Sequence, residues 1–127
     1  MSLTHRTVAM MLPVTDVDRA RTFYSESLGL DYTGTNDEGS AMYALEGGAT
    51  LMLLPRPGST PSESTAMSFE VEDVAAEITE LEAHGVVFED YDLPELTTVD
   101  HIAVMGSEKA AWFKDPDGHV LCLHEQA

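Results

Sequence analysis

Apolar residues fall along this chain in short runs separated by turn-forming clusters. The run from Val8 to Val14 is brief and is closed by Pro13 and by Thr15-Asp16, which reads as a strand. Thr15 or Asp16 can cap a helix that runs to about Ser27, because Val17, Ala20, Tyr24 and Leu28 recur at three- and four-residue spacing with Phe23 beside them. Gly29 ends it. Residues 30–33, 40–45 and 49–54 read as three further strands, with turns at 36–39 and at Gly47-Gly48. Residues 55–63, rich in proline, serine and threonine, read as a linker.

After the linker the pattern restarts. Residues 66–71 form a strand, and Asp73 caps a helix with Val74, Ile78 and Leu81 on one face. Gly85 ends that helix, and residues 86–88 open the next strand. A long polar loop follows, from Glu89 to about Glu108, with a short strand at 102–104. The closing segment is a hairpin. Ala110-Ala111-Trp112-Phe113 enters, Asp115-Pro116-Asp117-Gly118 turns, and residues 119–124 leave with Val120, Cys122 and His124 on one face and Leu121 and Leu123 on the other.

A shift of 57 positions lays Val14 on Val71, Asp16 on Asp73 and Val17 on Val74, so the chain is an internal repeat. Each half reads strand, helix, then three strands. A sheet covered by one helix keeps an uncovered face, and two such faces turned towards each other would enclose a small-molecule cavity. The expected organisation is one domain over 1–127, with modules 5–54 and 64–127 joined by the linker.

Composition narrows the function. The net charge is −17, and six Lys and Arg residues cannot assemble a basic patch, so nucleic acid and anionic membrane are not expected partners. No apolar run approaches the ~18 residues of a membrane span, and Met10-Met11-Leu12 is too short for a signal peptide. The single cysteine, Cys122, fits a reducing, cytoplasmic setting.

Three stretches carry a family resemblance: Val14-Thr15-Asp16-Val17-Asp18-Arg19-Ala20 through Phe23-Tyr24 to Leu28-Gly29-Leu30; Phe69-Glu70-Val71-Glu72-Asp73-Val74; and Trp112-Phe113-Lys114-Asp115-Pro116-Asp117-Gly118. In this order they resemble the vicinal oxygen chelate superfamily, also called the glyoxalase/bleomycin-resistance/dioxygenase superfamily. The resemblance implies an α+β fold of two βαβββ modules forming a half-open mixed β-barrel with a cavity, and a homodimer. It also implies where metal ligands would stand: seven residues before each helix-starting Asp, and four after each turn glycine. Those positions here are Ala9, Ala66, Met52 and Cys122. Three of them carry no usable ligand, so neither a metal nor another cofactor is expected.

Strand parity and composition nominate the lining of the cavity: Met11, Tyr43, Met52, Ser68, Trp112, Cys122 and His124, with Leu54 beside them. Methionine adapts to irregular shapes, and Trp112 offers a flat aromatic face. Cys122 is either a small buried apolar residue or a ligand-contacting thiol. Glu70 shares a face with Ala66 and Ser68; in apolar surroundings its carboxylate would act as a base, whereas at the strand end it would simply reach water. The leading expectation is metal-free binding of an apolar or aromatic compound. The alternatives are an enzyme, with Glu70 as base or a displaced metal site of Glu70, Cys122, His124 and His101, and a structural role with the cavity filled by its own side chains.

Overall fold

The computed structural model describes residues 2–126. The chain divides into two compact units, Met1–Thr60 and Pro61–Ala127.

In the first unit, strand β1 (Ala9–Val14) leads into helix α1 (Val17–Thr22), and strands β2 (Asp31–Thr35), β3 (Ala41–Ala44) and β4 (Thr50–Pro55) follow. Asp16 caps α1, its carboxylate accepting the Arg19 N–H at 3.1 Å. The helix continues to Ser27, as the periodicity predicts, but its last part, Phe23–Ser27, is π-helical. There Leu28 N–H reaches back to the Phe23 carbonyl, and Gly29 takes the positive φ of 71° that lets the chain turn away. The sheet order is β1-β4-β3-β2, with β1 parallel to β4 and the other pairs antiparallel. Pro13, which has no N–H to give a ladder, stands in an edge strand of this sheet. The core is the helix-covered face: Val14, Ala20, Tyr24, Ala41, Tyr43, Leu51 and Leu53 are fully buried.

In the second unit, β5 (Thr65–Glu70) precedes α2 (Val74–Ala83), capped by Asp73. Glu125 of the last strand adds a second acceptor at this helix start, taking the Val74 N–H at 2.8 Å. Val74, Ile78 and Leu81 of α2 are buried, as their spacing predicts. A small hairpin, β6 (Asp92–Leu93) and β7 (Leu96–Thr97), interrupts the long loop. Strands β8 (Ala103–Met105), β9 (Glu108–Lys114) and β10 (Val120–Gln126) complete the unit. The sheet order is β5-β10-β9-β8, with β5 parallel to β10.

The strand expected at 86–88 is reduced to a bridge between Phe88 and Phe113. The reason is that the outer edge of β9 is shared. Its first residues, 108–110, pair with β8, while Phe88 pairs with Phe113 and Glu89 donates its N–H to the Trp112 carbonyl. Two short pieces thus cover one edge, and residues 90–102 form an excursion between them.

The closing turn is held by Asp115, a buried residue. One of its carboxylate oxygens accepts the N–H groups of Asp117 at 3.0 Å and His119 at 2.8 Å. Gly118 supplies φ of 92°.

Candidate functional site

The uncovered face of each sheet carries the candidate residues. In the first unit the face opposite α1 presents Met11 from β1, Met52 from β4 and Met42 from β3. Register places them side by side: Met11 opposite Met52, and Met52 opposite Met42. Gly34 stands beyond Met42, whose methyl group leans over it. Met11 is 51% exposed and the other two are half-buried. This is a soft, deformable row of thioethers, suited to an apolar surface of irregular shape.

Tyr43 does not belong to that face. It is fully buried on the helix side, its ring centroid 6.3 Å from that of Tyr24 and its hydroxyl 2.8 Å from Ser25 Oγ. Residues 41–44 are apolar on both sides, so alternation alone does not choose a face; pairing with Leu51 and Leu53 of β4, both buried, does. Met42 takes the place expected of Tyr43.

In the second unit the corresponding face brings together Ser68, Cys122 and Trp112, which lie in one register row across β5, β10 and β9. His124 and Glu70 are paired in the next. Ser68 Oγ is 2.6 Å from His124 Nδ1. The Trp112 indole N–H donates to Thr65 Oγ1 at 3.3 Å, and its ring is half-buried. Tyr91, from the excursion, sets its ring perpendicular to Trp112 at a centroid distance of 5.6 Å. Tyr91 has no sequence signal, since its position depends on how a loop docks.

Burial pushes the Cys122 thiol up from its ordinary value, against the smaller opposing pull of the Ser68 hydroxyl and of the backbone at Ala111. Its S–H donates to the Leu123 carbonyl at 3.2 Å. The group is a protonated thiol, not a poised nucleophile. Burial also raises the Tyr91 phenol, with the Glu89 carboxylate, and the Cys122 thiolate once it forms at alkaline pH, acting in the same direction.

Glu70 is exposed at the end of β5. The apolar surroundings that would make it a base are therefore not formed. His101 lies apart from this face: its Nδ1 is 2.9 Å from Asp90 and its Nε2 3.5 Å from Glu82. Among the described residues no three His, Cys, Asp or Glu side chains converge so as to hold a metal ion. The displaced site of Glu70, Cys122, His124 and His101 is thus not assembled. The four positions at which the resemblance would place metal ligands hold two methyl groups at Ala9 and Ala66, a thioether at Met52 and a buried protonated thiol at Cys122. That donor set does not fit a catalytic divalent metal.

Among the described residues no helix is long and apolar enough to cross a membrane. The family model described as Glyoxalase/Bleomycin resistance protein/Dioxygenase superfamily matches residues 6–123. A superfamily member of known structure from Sphaerobacter thermophilus DSM 20745 aligns with a TM-score of 0.76 at 21% identity, over 98% of this chain and 100% of that one. An antibiotic binding protein from Streptomyces sp. CB03234 aligns at 0.69 and 25% identity, over 100% of this chain and 99% of that one. A lactoylglutathione lyase from Agrobacterium tumefaciens aligns at 0.66 and 19%, over 93% and 91%. No match was found among curated proteins.

Proposed function

We propose that this protein, which belongs to the Glyoxalase/Bleomycin resistance protein/Dioxygenase superfamily, binds an apolar or aromatic small molecule and does so without a metal ion. The observation that carries this reading is the setting of Trp112. A half-buried indole, its N–H already spent on Thr65, stands on a sheet face beside a protonated thiol and a perpendicular tyrosine ring. Such a surface offers aromatic and sulfur contacts to a flat ligand and no activated nucleophile to attack it. The first unit, taken by itself, carries soft thioether contacts of a similar kind on its methionine row. Likeness to the antibiotic binding protein, over the full length of both chains, supports binding as the activity. The donor set at the four ligand positions favours binding without metal over lyase or dioxygenase chemistry.

The reading extends to a homodimer in the cytoplasm, where the chain's one cysteine stays reduced. Sedimentation velocity at micromolar protein tests the dimer: a single species of twice the chain mass supports it, and a monomer refutes it.

The binding test uses the lone tryptophan as its own reporter. Polycyclic aromatic and hydrophobic compounds, antibiotics among them, are titrated while Trp112 emission is followed, with thermal melting in parallel. Saturable quenching at about one compound per chain is expected, with a rise in melting temperature from ~2.7 kcal/mol of linkage at a hundredfold excess over Kd. A melting response to divalent ions and to none of the compounds would refute the reading.

A further inference from the structure

We infer that this site selects neutral aromatic compounds carrying a carbonyl oxygen, because Ser68 holds His124 as a hydrogen-bond donor through Nε2. The inference rests on the binding reading above and adds the class of ligand.

A neutral imidazole carries one N–H, so the 2.6 Å contact between Ser68 Oγ and His124 Nδ1 has two possible arrangements. In one, the serine O–H donates to a bare Nδ1, and the ring proton sits on Nε2. In the other, Nδ1–H donates to the serine oxygen, Nε2 is bare, and the serine proton must find another acceptor. The neighbour across the register row is the Cys122 sulfur, which is a weak acceptor. The first arrangement gives the serine proton a strong nitrogen acceptor. The second sends it to sulfur or, since the contact is exposed, to solvent, and makes a hydroxyl oxygen, a weaker acceptor than a bare imidazole nitrogen, take the short bond. The first is therefore favoured, and Nε2 carries the hydrogen.

That Nε2–H has no partner among the described residues. The other ring donor on this face, Trp112 Nε1–H, is already bonded to Thr65, and the Cys122 S–H is bonded to Leu123. Glu70 pairs with His124 in register but forms no ion pair with it among the described residues. A ligand lying along Trp112 thus meets an unspent imidazole N–H on the His124 side and the phenol O–H of Tyr91 on the other. The exposed Glu70 carboxylate beside it, on a chain of net charge −17, disfavours an anionic acceptor. What remains is a neutral acceptor on an aromatic body: an aryl ketone, ester or amide.

The test compares three probes of one shape: fluorene, 9-fluorenone and 9-fluorenecarboxylate, titrated by calorimetry against the full chain. Fluorenone is expected to bind about three- to tenfold tighter than fluorene, the size of one net hydrogen bond, and the carboxylate weaker than the ketone. His124→Leu is expected to lower fluorenone affinity to that of fluorene. Independently of any ligand, 15N spectra at pH 8.5, where free imidazole is neutral, are expected to show His124 as the Nε2–H tautomer, and Ser68→Ala is expected to mix the two tautomers. Equal affinity for fluorene and fluorenone, or an Nδ1–H tautomer in the unmodified chain, would overturn the inference. Absence of binding by fluorene and fluorenone alike would instead count against the binding reading on which it rests.

Discussion

The Tyr43 hydroxyl lies 2.8 Å from Ser25 Oγ, tying an inner strand of the first sheet to the π-helical turn that packs over it. The contact is partly buried, and the Tyr43 ring itself is fully buried between those of Tyr24 and Tyr32. Tyr43→Phe is expected to cost about 0.5–1.5 kcal/mol, the net worth of the hydrogen bond, and Tyr43→Ala about 3–5 kcal/mol, as for other large aromatic truncations. Urea unfolding measures both. Tyr43→Phe is expected to bind any ligand of the sheet faces as the unmodified chain does, because Tyr43 points to the helix; a changed affinity would contradict its placement.

Asp115 does for the closing hairpin what Tyr43 does for the first sheet. Its carboxylate accepts two N–H groups, a buried one from His119 and a partly buried one from Asp117. Asp115→Ala leaves both without that acceptor and is expected to destabilise by about 1–3 kcal/mol. Asp115→Asn, which keeps one carbonyl oxygen, is expected to lose less. Equal losses in the two variants would show that the charge, not the acceptor geometry, holds the turn.

Cys122 is expected to react slowly with iodoacetamide, with a pH–rate midpoint above that of the urea-unfolded chain, since burial raises the thiol in the folded state. The sign for stability follows. The folded state holds the proton more tightly, so this contribution is fully present below the unfolded thiol value of about 8.5 and is lost as pH rises through the higher folded value. Unfolding free energy is therefore expected to fall with rising alkaline pH, and Cys122→Ala to flatten part of that slope. The Tyr91 phenol, raised in the same direction, accounts for a further part.

Peroxide is expected to convert Met11 to its sulfoxide before Met67, because Met11 is exposed on the uncovered face of the first sheet while Met67 is buried beside Leu121 of β10. Peptide mass mapping over a time course reads the order. Met67 oxidising first would contradict the faces assigned to these sheets.

Much of this was legible from residue order. Asp16 and Asp73 announce their helices because a cap acts within one turn, and the parity of Cys122 and His124 is readable because the leaving strand ends on a polar residue that breaks the apolar run. What escaped depends on pairing between distant segments. The face of Tyr43 is decided by β4. The replacement of the strand at 86–88 by a single bridge is decided by competition with β8 for one edge of β9. The exposure of Glu70, by contrast, is legible, because a carboxylate at the end of its strand can reach water. Tyr91 sits in a polar loop whose docking on Trp112 no local pattern encodes.

The central claim is binding without chemical change, and a mass balance tests it most directly. The tightest compound from the Trp112 titrations is incubated with stoichiometric protein, the complex is separated from free compound, and the bound fraction is released by denaturation and identified by mass spectrometry. Recovery of about one equivalent of intact compound per chain is the predicted result. Recovery as a product of altered mass, growing with time, would contradict the claim and make the protein an enzyme.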